Sequence, residues 1–375
     1  MSVTAVKVPY LDLPAQHRPL KAELLAAVGA VIDSGQFILG PQVPAFEAAL
    51  ADVCGTKHAV GLNSGTDALI LALRALGVGP GDEVITAANS FVASASAAAL
   101  VGATPVLVDV RDDYNMDPEA LARAVTPRTK AIIPVHLTGR PADMDPILAV
   151  AKKHKLFVVE DCAQAVAAEY RGRRVGSMGT IGCFSLHPLK TLNACGDGGA
   201  AVTDDAALLA KMALLRNLGL QSRENCTDWS SNSRLDTVQA AMLLVKLKHL
   251  DAWTAARRKN AAFYQEALAG IPGVVAPRDQ AFEKAVYHTF IIQADRRDAL
   301  KAYLAERGID TAVHYPRPIH LQDAAKPLGK PLGSFPVAER QAGRILSLPV
   351  YPELTPSQLE WVAASIREFY SRPAA

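Results

Sequence analysis

The sequence predicts an α/β fold: a mainly parallel sheet covered by helices on both faces, followed by a smaller C-terminal α/β domain. Three observations carry this expectation. Short β-rich runs alternate with helical patterns over residues 58–205, as βαβ units require. At 375 residues the chain exceeds one typical domain. Half of it is hydrophobic, which allows a sizeable core.

The β-rich runs are "HAVGLN", "EVITA", "TPVLVDV", "KAIIPVH", "KLFVVED", "IGCFSL" and "GAAVTD". Between them lie the helical patterns "TDALILALRALG", "SFVASASAAAL", "DPEALARAV" and "DPILAVAKKH". The longest apolar run, "FVASASAAALVGATPVLV", reaches membrane-spanning length. Gly102 and Pro105 divide it, so it reads as a buried helix followed by a buried strand. From Asp236 a long helical pattern, in one or two pieces, leads out of the sheet domain. "VYHTFIIQA" then reads as a strand and "RRDALKAYLAERG" as a helix. In the last helix Thr355 can be the N-cap, Pro356 the first helical residue and Gln358 the partner in a capping box. The expected domains are residues 1–250 and 251–375.

Composition excludes several classes. The formal net charge is +2, so no electrostatic reason points to nucleic acid or a membrane surface. The five cysteines are scattered and form no CxxC pair, which argues against a disulfide framework or structural zinc and fits a reducing cytoplasm. The nine histidines show no metal-ligand spacing, so no metal is expected. The N-terminus has no apolar signal core.

Three features carry chemistry. In "GLNSGTDAL" a β-run ends at Leu62 and a helix starts near Thr66. The free N–H groups of Gly65 and Thr66, with the hydroxyls of Ser64 and Thr66, suit a phosphate, although an ordinary capped turn reads the same way. The glycine-rich "GVGPGD" follows a helix and reads as a C-cap, not a dinucleotide loop. In "VVEDCAQA", Asp161 falls at the C-terminal end of a buried strand, where ligands gather in open α/β sheets. Glu160 should face the other way, because strand side chains alternate. Gln164 could close a capping box or face the same ligand as Asp161.

Twenty-nine residues after Asp161 comes Lys190, in "FSLHPLKTLNACGDGGA", with Ser185 five residues before it at a strand end. A lysine in so apolar a region is either solvated or held for covalent chemistry. The interval holds a hairpin, "EYRGRRVGS", and a strand expected beside that of Asp161. A phosphate cradle, a strand-end aspartate and a pocket lysine together suggest pyridoxal phosphate. Arg171, Arg173 and Arg174 read as a solvated hairpin edge.

With these motifs the chain resembles the sugar aminotransferases of the DegT/DnrJ/EryC1/StrS family, a branch of the fold-type I pyridoxal-phosphate enzymes. The likeness runs through "DSGQFILGPQVPAFE", "LNSGTDAL", "VEDCAQA", "FSLHPLK", "GDGGA", "NSRLDTVQAA" and "HYPRPIH". It implies a seven-stranded sheet, with Lys190 as the Schiff-base lysine and Asp161 as partner of the pyridinium nitrogen. It further implies Phe91 stacked on the ring and Gln164 near the ring oxygen. Gly65, Thr66 and Ser185 would hold the phosphate. Asn232 would reach it from the other subunit, making the active unit a homodimer. Core packing is the other reading of Phe91, and a plain turn residue that of Asn232.

The resemblance implies transfer of an amino group from L-glutamate to a nucleotide-linked keto-sugar. "GDGGA" with "NSRLD" favours a 3-keto sugar, a 6-deoxyhexose among the candidates, over a 4-keto one. His187 is a candidate sugar contact or a hydrogen-bonded structural histidine. His314, Tyr315 and His320 are candidates for the substrate mouth, or for a rigid loop set by Pro316 and Pro318. Val166, Ala167, Thr138, Arg140 and Leu218 depart from the family pattern and are expected to alter the pocket wall. Two other readings are a regulatory protein that binds the cofactor without turnover, and a nicotinamide oxidoreductase. The second lacks a GxGxxG between the first strand and helix.

Overall fold

The computed structural model describes residues 7–372. All seven β-rich runs form strands of one sheet: β1 (His58–Leu62), β2 (Glu83–Ala87), β3 (Thr104–Val108), β4 (Thr129–Ile133), β5 (Phe157–Asp161), β6 (Ile181–Ser185) and β7 (Gly199–Thr203). Their order is β1-β7-β6-β5-β4-β2-β3. Strand β7 is antiparallel to both neighbours, and the other four pairings are parallel.

Alternation along the strands splits the core between the two faces. Val159, Ile133 and Val84 pack into one cluster, while their neighbours Val158, Ile132 and Ile85 pack into another. Strands buried on both faces read as continuous apolar runs, and these do. The apolar run after Phe91 is indeed a helix, Ala93–Leu100, followed by β3.

The helical pattern from Asp236 is two helices, Thr237–Leu247 and Leu250–Ala267. The second contributes Ala261 and Tyr264 to a cluster with Phe290, Ile292, Leu300 and Val362. That cluster backs an antiparallel sheet of Val274–Val275, Phe290–Ala294 and Ile345–Leu348. Val8 packs here too, with Leu11 against it, so the start of the described chain lies against its C-terminal part. The last helix, Pro356–Ser371, has the expected capping box between Thr355 and Gln358.

Close backbone approaches fix strand β6. A methyl at Gly182 would stand 2.4 Å from the Gly176 Cα and 2.6 Å from its carbonyl oxygen. Gly182→Ala should therefore lower stability by about 1–3 kcal/mol through overpacking, read as an earlier thermal or urea midpoint. Gly29, in helix Lys21–Ser34, has nothing within 4 Å of such a methyl, so Gly29→Ala should leave the midpoint unchanged or raise it.

Candidate active site

At the C-terminal ends of the parallel strands lies a cavity of about 330 Å³. Asp161, from the end of β5, and Lys190, from the loop after β6, both line it. So do Gly65, Thr66 and Ser185. One cavity thus joins the anion-binding turn, the strand-end carboxylate and the lysine.

Asp161 is 5 % exposed and held by two donors. The Ser94 hydroxyl donates to its Oδ2 at 2.9 Å, and the Ala163 N–H to its Oδ1 at 3.1 Å. Burial raises its pKa above the ordinary carboxylate range, against those two donors and the Lys190 charge. A cation placed against it would favour ionisation. Burial lowers Lys190 to about 8, although Asp161 opposes the shift. A lysine so tuned supplies free amine near neutral pH.

Glu160 points through the opposite face, fully buried. It accepts hydrogen bonds from His136 Nε2 at 3.0 Å and from the N–H groups of Gly176, Met178 and Gly179. Burial alone would raise its pKa, but His136 and the N–H donors outweigh it and leave it lowered. His136, Glu160 and Cys162 place potential metal-ligand atoms within 4.8 Å of one another. The imidazole and carboxylate are already committed, because His136 Nδ1 also accepts the Ala142 N–H. The network positions the end of β5.

The anion-binding turn starts one residue earlier than the sequence suggests. Helix Gly65–Ala75 begins at Gly65, and Ser64 is its N-cap, accepting the Asp67 N–H at 3.0 Å. The N–H groups of Gly65 and Thr66 fall in the first turn, where no intrahelical acceptor exists. A methyl on Gly65 would stand 2.6 Å from the Ser185 Cβ. The cradle therefore needs glycine at this point.

No helix follows Asp161 directly, so Gln164 closes no capping box. It lines the cavity, where its Oε1 accepts the Thr138 N–H at 2.6 Å and its Nε2 donates to the Tyr315 hydroxyl at 3.2 Å. Phe91 lines the cavity too and is 53 % exposed, which sets aside core packing. Its ring lies 5.7 Å from that of Tyr315.

His187, His314 and Tyr315 line the cavity. His314 is lowered to about 4 by burial and then by Lys190, so it is neutral at physiological pH. His320 is the exception. It is 3 % exposed, lies outside the cavity, pairs with Glu339 at 2.8 Å and packs edge-on against Phe335. Its role is to pin the loop, because the short helix Ile319–Leu321 turns it into the protein.

The five departures from the family pattern do not alter the wall of this chain's cavity. Thr138, Arg140, Val166 and Ala167 are buried behind it, and Leu218 lies outside it. Arg140 pairs with Glu283, tying the loop after β4 to the strand Glu283–Lys284. Asn232 is exposed and outside the cavity of its own chain.

Sequence reasoning missed Tyr10, Ser94, Arg257, His288, Thr289 and Tyr351. All but Ser94 line the cavity, and Ser94 holds Asp161. Only Ser94 left a local signal, three residues after Phe91 and so one helical turn away. His288 is pushed well below the ordinary imidazole range by burial, then by Lys190 and Arg257.

A glycine-shaped turn at a helix N-terminus, a lysine with a lowered pKa and a held carboxylate thus meet in one cavity at the edge of this sheet. The chain belongs to the DegT/DnrJ/EryC1/StrS aminotransferase family, whose pattern matches residues 19–367, and it is an enzyme of the transaminase class. It is 47 % identical over 367 residues to the dTDP-3-amino-3,4,6-trideoxy-alpha-D-glucose transaminase of Streptomyces venezuelae, covering 98 % of this chain and 97 % of that protein. It is 48 % identical over 361 residues to the UDP-N-acetyl-3-dehydro-alpha-D-glucosamine 3-aminotransferase of Acidithiobacillus ferrooxidans, covering 96 % and 97 %. The crystal structure of S. venezuelae DesV in complex with a ketimine intermediate superposes with a TM-score of 0.96 at 46 % identity, covering 98 % of this chain and 100 % of that one.

In protein freed of cofactor, the free-amine fraction of Lys190 should rise as pH climbs through about 8. Reductive methylation read by peptide mass spectrometry should level off there for Lys190. Exposed lysines should go on gaining rate toward about pH 10.

Proposed function

We propose that the protein uses pyridoxal phosphate to transfer the amino group of L-glutamate to a nucleotide-linked 3-keto hexose, of the 6-deoxy kind. The observation that carries this reading is the meeting of Lys190, Asp161 and the Gly65–Ser185 cradle in one cavity. The amination position is supported by the two relatives above, both named for an amino group at carbon 3.

The residues present fit the cofactor. The N–H groups of Gly65 and Thr66 and the hydroxyls of Thr66 and Ser185 would hold its phosphate. Asp161, held by Ser94 and Ala163, would hold its ring nitrogen as a cation. Phe91 would cover one ring face and Gln164 would sit beside the ring oxygen. When bound, the cofactor supplies an aldehyde that takes up the amino group and a ring that accepts electrons.

The protein's own groups do the rest. Lys190 would hold the cofactor at its aldehyde, and its amine, when free, would move a proton from the donor's α-carbon. Its lowered pKa suits that work. In the net reaction glutamate becomes 2-oxoglutarate, and the nitrogen replaces the sugar's carbonyl oxygen. The reducing cytoplasm is the proposed compartment; the five cysteines are all free. No helix among the described residues is long and apolar enough to cross a membrane.

The active unit proposed is a homodimer. Asn232 lies outside its own chain's cavity and is free to serve the partner's. Leu25, Ile32, Phe37 and Ile38 are more than two-fifths exposed, apolar surface that a second copy would cover.

The test is an assay of the purified protein with glutamate and a panel of nucleotide-linked 3-keto and 4-keto sugars, scored for aminated product. Amination confined to 3-keto sugars is expected, and product only from 4-keto sugars would refute the assignment. Lys190→Ala should abolish turnover, and borohydride should fix the cofactor on Lys190 in the parent protein only. Gly65→Ala should weaken cofactor binding at least tenfold, read by titration of the visible absorbance, because its methyl fills the cradle.

A further inference from the structure

One charged group in the cavity has no task in the scheme above. Arg257 projects from the middle of helix Leu250–Ala267, is 3 % exposed, and lines the cavity. Its Nε has no hydrogen-bond partner among the described residues. Its Nη1 has a single long contact, 3.5 Å to the Tyr287 carbonyl. Arg140, buried nearby, is by contrast closely paired with Glu283. Buried guanidinium groups short of acceptors are costly, and retaining one calls for a ligand.

We propose that Arg257 receives a carboxylate of the amino donor. A planar fork of N–H donors matches a planar carboxylate, and the carboxylates of the cavity wall, Asp161 and Asp197, make no hydrogen bond or ion pair with Arg257. Glu353 is close enough to act on Arg257 electrostatically but does not line the cavity, and its own Oε2 is unpartnered.

Position favours the donor over the sugar nucleotide. Lys190, Arg257 and the partly buried His288 all line the one cavity. An α-carboxylate sits one bond from the carbon whose proton Lys190 moves. The phosphates of a nucleotide-linked sugar lie a full sugar ring away from the reacting carbonyl, toward the mouth. His288 and His314 stay neutral, so neither competes for the carboxylate as a cation.

This inference rests on the transaminase reading and can fail separately from it. The experiment measures binding of 2-oxoglutarate, pyruvate and oxaloacetate to the holoenzyme by calorimetry. The proteins are the parent, Arg257→Met, Arg257→Gln and Arg257→Lys. Melting temperature and the KM values for donor and keto-sugar are measured alongside.

Arg257→Met should bind the 2-oxo acid at least tenfold more weakly and raise the donor KM. Its keto-sugar KM should be unchanged, and its melting temperature unchanged or higher, since an unpaired buried charge is gone. Arg257→Gln should lose binding likewise, and Arg257→Lys should lose less. If Met and Gln destabilise the fold, the Lys variant decides: intact folding with weakened acid binding supports the assignment. Unchanged acid binding, or equal losses for acid and sugar, overturns it. If the parent binds pyruvate or oxaloacetate but not 2-oxoglutarate, glutamate is the wrong donor, and the role of Arg257 is judged on the acid that binds. If the parent binds none of the three, the role of Arg257 falls.

Discussion

Asp161 leaves β5 into the cavity, while Glu160, one residue earlier, leaves through the opposite face into a cage of N–H donors. The two carboxylates set opposite demands on the same strand end. Glu160 is satisfied by the protein, so it fixes the backbone. Asp161 receives only Ser94 and Ala163, so burial leaves it short of a cation. Lys190 across the cavity has the complementary problem, with burial holding its ammonium near the point of losing a proton. Both groups are poised because low dielectric penalises each charge while the partner only partly offsets the cost.

That arrangement needs backbone segments from three strands to come very close together. Gly65 approaches Ser185 so tightly that no side chain fits, and a methyl at Gly199 would meet the Ser64 carbonyl at 2.2 Å. The antiparallel strand β7 is what allows this. It lies between β1 and β6 and brings the cradle turn beside the strand that leads to the lysine. The anion site and the amine are therefore positioned by one set of close contacts rather than by flexible loops.

Lys190, Asp161, the Gly65 turn and Phe91 were legible as cavity residues because each sits at a junction that leaves a local mark. A strand ends in a small polar turn, an acid closes an apolar run, or a lysine interrupts a glycine-rich loop. The sequence left His320 open between the mouth and a rigid loop because its motif gives its neighbourhood but not its direction; six residues after His314, it turns inward toward Glu339. Thr138, Arg140, Val166 and Ala167 are buried outside the cavity lining, and motif comparison cannot separate a lining residue from a core one. Tyr10, Arg257, His288 and Tyr351 left no mark, since each belongs to an ordinary amphipathic or apolar segment far from the others in the chain.

By itself the sequence determined the α/β class, the order of the seven strands along the chain, the family and the placing of Lys190 and Asp161 in one pocket. These follow from periodicity and from residue types that only certain turns accept. Tertiary structure alone decided the full strand order of the sheet and how far each of the two carboxylates is satisfied by its neighbours. It also decided that the long helix after residue 249 delivers a guanidinium to the cavity. Such facts depend on distances between segments hundreds of residues apart, and packing sets those distances with no trace in local pattern.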